Sequence, residues 1–187
     1  MQFSEKSMTH LLIPLFMGTL FPLTSLARGG PRKLQRGIPD AFEIFSRFPD
    51  VVEISNWNDD DFFECLKGKQ VFFDPQAKKT TYIFTYKGHN GADKTDVAYH
   101  ISQGPAINEI IYYLDDDVQH KDKGILHYTD YTTCNVIQGP YHGDQCMLFV
   151  SKESADNVTQ DCIEQYNDIC GAGFSMYARD LCPDDEE

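Results

Sequence analysis

Eight short segments with alternating apolar and polar residues follow one another through the chain, and they restrict its fold more than any other feature. They are rich in Val, Ile, Thr, Tyr and Phe, and Gly, Pro, Asp and Asn clusters separate them, as turns separate strands. The segments are 50–57, 62–73, 79–88, 94–103, 106–114, 124–131, 134–139 and 145–152. Because such short connections suit hairpins, an antiparallel up-and-down sheet is predicted. Eight strands of this kind can close into a barrel with room for one small ligand.

Two helices are predicted to flank the strands. The first is short, with the sequence DAFEIFSRF and Asp40 as its expected N-cap. The second lies in SADNVTQDCIEQYNDIC, begins near Asn157 or Thr159, and ends at Gly171. The sequence therefore predicts one all-β domain over residues 40–182, with one helix before the barrel and one after it.

Both ends of the chain are predicted to lie outside this domain. Residues 1–27 carry an apolar run that ends in small residues at Ser25 and Ala27, as a secretory signal peptide does. The run is short for a membrane span, and a buried amphipathic helix is the alternative. Residues 28–39, RGGPRKLQRGIP, predict a mobile basic arm, and residues 183–187 an acidic tail. The mature protein is therefore expected to be soluble and secreted.

Charge and missing motifs argue against several functions. The chain has 16 Lys and Arg against 29 Asp and Glu, a net charge of −13, which disfavours binding to nucleic acid or anionic membranes. It has no GxSxG motif, no Gly-rich phosphate loop and no carboxylate pair at a catalytic spacing, so we expect no enzyme and no catalytic residues. The stretch DDDVQHKDKG lacks the Gly and Glu of a calcium loop, so a solvated turn is expected. No cofactor or metal is predicted.

Six cysteines predict three disulfides in a secreted chain. They stand at positions 65, 134, 146, 162, 170 and 182. Zinc is the rival interpretation, but the chain has no CxxC pair and no HExxH motif. Cys162 and Cys170 lie eight residues apart on a predicted helix, which separates them by roughly 12 Å, whereas bonded cysteines have Cα atoms about 4.4–6.8 Å apart. These two therefore do not bond each other, and the other pairings stay open.

The stretches around the cysteines form a distinctive set: DAFEIF, DFFEC, YTDYTTCNVI, CMLFV, DCIEQYNDIC and ARDLC. Together with the order of strands and helices, they resemble the tick salivary lipocalins, the group of the histamine-binding proteins and the Japanin-type immunomodulators. The Gly-x-Trp signature of ordinary lipocalins is absent, because the only tryptophan, Trp57, follows Asn56. The resemblance implies an eight-stranded lipocalin barrel with the disulfides Cys65–Cys182, Cys134–Cys162 and Cys146–Cys170.

The resemblance also bears on the chemistry of the ligand. Amine-binding members place carboxylates in the pocket, because a protonated amine needs a charge partner in a low-dielectric cavity. Aligned on the cysteines, this chain has Gly124, Met147 and His100 where those members carry acids. Three other acids of the strands are expected to face solvent: Glu53, Glu109 and Asp130. The resemblance therefore implies an apolar or amphipathic ligand, such as a sterol, fatty acid or eicosanoid.

Eight residues are the ligand contacts that the resemblance implies. Ile110 and Tyr112 fall on the pocket-facing side of their strand, and Leu126 and Tyr128 have the same parity on the next strand. The whole set is Asp50, Trp57, His100, Ile110, Tyr112, Leu126, Tyr128 and Met147. The alternative for each is an ordinary place in the barrel core, since a ligand cavity and a core use similar side chains.

Three functions stay open on this basis. The first is a carrier that sequesters a small ligand and modulates host immune or inflammatory responses. The second is an immunomodulator that contacts a host immune-cell protein through the mobile basic arm and the loops GHNGAD (88–93) and DDDVQHKDKG (115–124). The third is the sequestration of histamine or serotonin. The only Asn-x-Ser/Thr sequon predicts an N-linked glycan on Asn157.

Overall fold

A computed structural model of the chain describes residues 34–87, 94–178 and 182. The signal peptide, the first six residues of the arm, loop 88–93 and the acidic tail lie outside the described residues. Within the described part, the chain forms nine strands, two α-helices and two 3₁₀ turns.

Eight antiparallel strands form a closed barrel in which each strand pairs with the next along the chain. They are β1 (Asp50–Asn56), β2 (Lys67–Asp74), β3 (Lys79–Tyr86), β4 (Thr95–Gln103), β5 (Glu109–Leu114), β6 (Asp122–Thr129), β7 (Cys134–Pro140) and β8 (Asp144–Ser151). Strand β1 pairs with both β2 and β8, which closes the barrel. A two-residue strand, β9 (Phe174–Ser175), also pairs with β1. The predicted eight-stranded up-and-down barrel is confirmed.

The segment 62–73, predicted as one strand, divides into a 3₁₀ turn and a strand. The turn is Asp61–Phe63, and the Asp60 carboxylate caps it by accepting a hydrogen bond from the Phe62 N–H at 3.0 Å. Cys65 then takes a φ of 60°, in the left-handed region, and β2 begins only at Lys67. The capping carboxylate stabilises a turn where the alternating pattern alone predicted extended chain.

The first helix, α1 (Ala41–Arg47), lies across one end of the barrel, which we call the helix end. Asp40 caps it by accepting hydrogen bonds from the N–H groups of Phe42 and Glu43 at 2.8 and 3.1 Å. The side chains of Phe42 and Phe45 are 2% and 7% exposed, so the apolar face of the helix is buried. The predicted helix and its cap are both confirmed.

The second helix, α2 (Gln160–Cys170), packs on the outside of β6, β7 and β8. Thr159 caps its start, and Gly171, with a φ of 83°, ends it as predicted.

Two disulfides join this helix to β7 and β8, and the third joins the segment after it to the residues before β2. The pairs are Cys134–Cys162, Cys146–Cys170 and Cys65–Cys182, the same pairs that the resemblance implies.

Residues 34–39 of the predicted mobile arm are fastened to α2. The Arg36 guanidinium donates from Nε to Gln165 Oε1 at 2.9 Å and forms an ion pair with Asp168. The Leu34 N–H donates to the same Asp168 carboxylate at 3.2 Å. The Gly and Pro content predicted mobility here. In the structure, Arg36 contacts Gln165 and Asp168 on the helix, and these contacts hold residues 34–36 against it. For residues 28–33, mobility stays a prediction outside the described residues.

Candidate functional site

The barrel encloses a cavity of about 80 Å³ that runs from the helix end towards the opposite end. At the helix end, Phe45 and Phe48 form part of its wall. At the opposite end, which we call the turn end, the wall includes Phe63, Tyr86 and Tyr141. Since one water molecule needs about 10–15 Å³ by this measure, the cavity has room for several. The lining residues of the cavity thus come from both ends of the barrel.

The wall of the cavity is apolar, with a few hydroxyl and amide groups. Among the described residues that line it, none carries an acidic or basic side chain. Most are aliphatic side chains or phenylalanines, and the polar atoms come from Asn135 and from the hydroxyls of tyrosines 82, 86, 99, 112 and 141. The Tyr86 and Tyr99 hydroxyls are 2.8 Å apart, and burial raises the pKa of both. Both therefore stay neutral and can donate a hydrogen bond.

Four of the eight predicted contacts line this cavity: Ile110, Tyr112, Leu126 and Met147. Ile110 and Leu126 are 2% and 1% exposed, whereas Met147 is half-buried. The Tyr112 hydroxyl donates to the Pro140 carbonyl at 2.6 Å, which fixes its ring against the wall. The alternation along β5 and β8 thus places these side chains inside, and their contact with a ligand stays a prediction.

Tyr128 lies outside the barrel, although its parity predicted an inward position. The pairing of β6 with β7 shifts between Leu126 and Tyr128, where a β-bulge inserts one extra residue. Such a bulge reverses the alternation, so Leu126 faces the cavity and Tyr128 faces α2. The Tyr128 hydroxyl hydrogen-bonds to the Asp161 carboxylate at the start of that helix.

The other three predicted contacts also lie away from the cavity. His100 alternates with the inward Tyr99, and its ring stacks on Tyr113 on the outer wall, with ring centroids 4.8 Å apart. Trp57 follows the end of β1 and is 44% exposed, and its indole N–H donates to the Asp144 carbonyl at 2.8 Å. Asp50, at the start of β1, is not among the lining residues. The alignment on the cysteines placed these positions inside because it carried no information on register.

Gly124 lines the cavity and has no room for a side chain. Gly124 lies directly opposite Ile110 in the β5–β6 pair. A Cβ atom at 124 would come within 2.9 Å of the Ile110 side chain, closer than real Cβ atoms approach. Ile110 therefore fills the space that a side chain at 124 would need.

Sequence reasoning missed two buried polar residues on β1, Glu53 and Asn56. Both residues are fully buried. The prediction that Glu53 faces solvent is therefore wrong. Glu53 is paired with Phe149 and Asn56 with Met147, and these partners line the cavity. Since paired residues share one face of a sheet, Glu53 and Asn56 point to the interior. A register shift between them, at residues 53–55, lets two residues three positions apart share that face.

The Glu53 carboxyl group lies near the Asn56 side chain in the interior. Among the described residues, no group lies in hydrogen-bonding geometry with either Glu53 oxygen or with the Asn56 amide nitrogen. Burial raises the pKa of the Glu53 carboxyl well above its ordinary value, and the nearby Asn56 amide offsets part of this shift. Glu53 does not line the cavity itself. A negative charge on it raises the pKa of Tyr86 and Tyr99, whose hydroxyls do line the cavity.

Tyr82, Phe84 and Tyr86 are inward residues that the sequence could have revealed. They alternate along β3 with Thr81, Ile83 and Thr85. The motif KTTYIFTY therefore places three aromatic residues at alternate positions, on one face. Such alternation predicts an inward aromatic face on β3.

Asp130, just after β6, and Glu109, at the start of β5, have structural roles. The Asp130 carboxylate accepts hydrogen bonds from the N–H groups of Thr132, Thr133 and Cys134 and so closes the β6–β7 turn. It lies near Cys134 and Cys162, whose sulfurs are bonded to each other in a disulfide. Since disulfide sulfurs are not thiolate ligands, this cluster does not indicate a metal site. Glu109 forms an ion pair with Lys123 at 3.1 Å. Neither acid lines the cavity.

Comparison with solved structures supports the fold. Japanin from Rhipicephalus appendiculatus, bound to cholesterol, aligns with a TM-score of 0.53 and 12% identity over 70% of this chain and 94% of that one. AM182 in complex with serotonin aligns with a TM-score of 0.60 and 15% identity over 79% of this chain and 95% of that one. These similarities confirm the predicted lipocalin fold. No described helix is long and apolar enough to cross a membrane.

Sequence comparison identifies the family. No curated protein sequence matches the chain. A model of the tick histamine binding protein family, however, matches residues 50–183, which include all eight barrel strands and α2. This match spans well over half of the 187 residues. The chain therefore belongs to the tick histamine binding protein family.

Proposed function

We propose that this protein is a secreted carrier that captures a slender, largely apolar ligand, such as a fatty acid or an eicosanoid, in its barrel. The observation that carries the proposal is the uncharged wall of the cavity. A charged group brought into such a wall would lose several kcal/mol of hydration without gaining a charge partner. An apolar chain loses no hydration of this kind, and the ligand's polar end would lie beyond the apolar wall, towards one end of the barrel.

The volume of the cavity bears on the choice among apolar ligands. A volume of about 80 Å³ favours a flexible chain, which can adapt to a small cavity, over the rigid ring system of a sterol. The hydroxyls of Tyr86 and Tyr99, together with the Asn135 amide, are the groups that would bind an uncharged oxygen of the ligand. Capture of a host lipid mediator by stoichiometric binding would dampen the host immune or inflammatory response.

Replacement of Met147 by tryptophan is expected to weaken binding of a dansyl-labelled C11 fatty acid at least about tenfold, a loss of about 1.4 kcal/mol. The larger side chain would occupy space in the cavity that the chain of the probe needs. His100→Trp is the matched control, because it places the same bulk on the outer wall and should leave affinity unchanged. Fluorescence titration of the purified, disulfide-bonded protein measures both. Equal affinity in all three proteins would contradict binding in the barrel.

A second candidate ligand is an organic amine such as histamine or serotonin, and the buried Glu53 carboxyl favours it. An acid with no hydrogen-bond partner among the described residues, next to Tyr86 and Tyr99, could ionise when a cationic group arrives. The family model and the serotonin-bound AM182 structure agree with this chemistry. Tight histamine binding that Glu53→Gln abolishes, in calorimetric titration, would support the amine. Co-purified lipid in native mass spectrometry would support the carrier of an apolar chain.

Secretion and glycosylation are part of the proposal, and the predicted sequon is suitably placed. Asn157 is exposed, just before the start of α2. We expect Asn157→Gln to remove one N-linked glycan and lower the mass of the protein secreted by insect cells accordingly. Thr159→Ser keeps both the sequon and the helix cap and should retain the glycan. Identical masses of Asn157→Gln and the wild-type protein would show that the sequon is unused.

A further inference from the structure

Side chains hydrogen-bond to backbone carbonyls at both ends of the barrel, and the turn end carries an aromatic stack in addition. At the helix end, strand side chains hydrogen-bond to the backbone of α1 and of the residue after it. Gln70 Nε2 donates to the Phe45 carbonyl at 3.0 Å, and the Tyr82 hydroxyl donates to the Phe48 carbonyl at 2.7 Å. The backbone at this end is therefore tied to the barrel wall, and opening it would break several hydrogen bonds at once.

At the turn end, a column of three aromatic rings leads from solvent to the cavity. His142 is exposed and stacks on the half-buried Phe62, with ring centroids 4.3 Å apart and planes 14° apart. Phe62 stacks in turn on Tyr86, at 4.5 Å and 22°. Tyr86 is 2% exposed and lines the cavity. Rings held by stacking can separate by side-chain rotation, which needs no change in the sheet.

The backbone under His142 is a tight turn in an uncommon conformation. His142 has a φ of 50° and Gly143 a φ of 98°, both in the left-handed region. The Tyr141 N–H donates to the Gly143 carbonyl at 2.8 Å across the turn. Non-glycine residues seldom adopt a positive φ, but the tight turns of β-hairpins use this conformation. Here the turn places the His142 ring against Phe62.

We propose that the ligand enters and leaves through the turn end, and that the His142–Phe62 stack is the gate that sets both rates. The inference rests on the proposed function, since it presupposes a ligand in the barrel. His142 and Phe62 do not line the cavity, so they contact the path and not the bound ligand. They therefore govern rates, whereas the residues of the cavity wall govern affinity.

Stopped-flow fluorescence with the dansyl-labelled C11 fatty acid tests the gate. His142→Ala is expected to raise the association and dissociation rate constants together, each about tenfold, with Kd unchanged within about twofold. His100→Ala is the matched control, because that histidine also stacks on an aromatic ring but lies on the outer wall. Tyr131→Phe loosens the other end, since it removes the hydroxyl that accepts from the Asp40 N–H at 2.8 Å, and should leave both rates unchanged.

The outcomes separate the gate from the proposed function. If the wild-type protein binds the probe in the barrel but His142→Ala has wild-type rates, the gate is wrong and the carrier function stands. If Tyr131→Phe accelerates both rates and His142→Ala does not, the ligand passes through the helix end. A change of Kd in His142→Ala without faster exchange would make His142 a ligand contact. If no probe binds to the wild-type protein, the proposed carrier function itself fails.

Discussion

Replacement of both Cys134 and Cys162 by alanine is expected to lower the free energy of unfolding by about 3–5 kcal/mol. The disulfide closes a loop of 28 residues, for which the chain-entropy model gives about 3.6 kcal/mol, and both cysteines are fully buried. A domain of this size is stable by only about 5–15 kcal/mol, so the variant should unfold at a much lower denaturant concentration. Urea unfolding followed by circular dichroism measures the change.

An exposed pair provides the control for this double substitution. Asp117 and His120 contact each other on the surface at 2.7 Å, and replacing both by alanine should leave the unfolding midpoint close to that of the wild-type protein. Removing Cys65–Cys182, which closes 117 residues, should cost about 5 kcal/mol by the same model. A loss below about 1 kcal/mol for the Cys134 and Cys162 variant would mean that α2 docks without its covalent tie.

Replacement of Glu53 by glutamine is expected to raise the free energy of unfolding at neutral pH, because glutamine is buried uncharged without having to take up a proton. Burial raises the folded-state pKa of this carboxyl, so the folded protein keeps the proton after the unfolded chain has lost it. Its stabilising contribution is complete below the unfolded pKa of about 4.5 and falls as pH rises towards the folded pKa. Glutamine does not titrate, so this loss disappears in the variant.

The measurement is the difference in unfolding free energy between Glu53→Gln and the wild-type protein, taken from about pH 4 to pH 8. The difference should grow with pH, because only the wild-type protein carries the buried acid. Glu109→Gln is the control, since Glu109 lies on the outside of β5 in an ion pair with Lys123 and should show little change. A difference that is constant over this range would mean that Glu53 titrates as an exposed acid does.

The barrel could be predicted from sequence because each of its strands has a strong local signal. Alternation, turn residues and two capped helices all indicated the same architecture, and the helix caps at Asp40 and Thr159 are where the pattern placed them. The disulfide pairs required the family resemblance, since spacing excluded only Cys162–Cys170. Local chemistry thus determined the elements, and the family pattern supplied their covalent connections.

The candidate site was predicted less well, for reasons of register. A single extra residue at the β-bulge after Leu126 moves Tyr128 from the cavity to the outer wall. The irregular pairing of β1 beyond Glu53 similarly brings Asn56 to the interior. Bulges depend on contacts between strands and have no reliable sequence signal of their own. An acid such as Glu53 is more often solvated, and only the three-dimensional structure places it inside.

The close approach of Gly124 to Ile110 has a consequence for the evolution of ligand choice in this family. An acid at 124 cannot be accommodated while Ile110 fills the adjacent space, and removing Ile110 first would leave a destabilising void. A change between apolar and amine ligands at this point would therefore require two coupled substitutions. Among relatives, an acid at the position of Gly124 should occur together with a smaller residue at the position of Ile110.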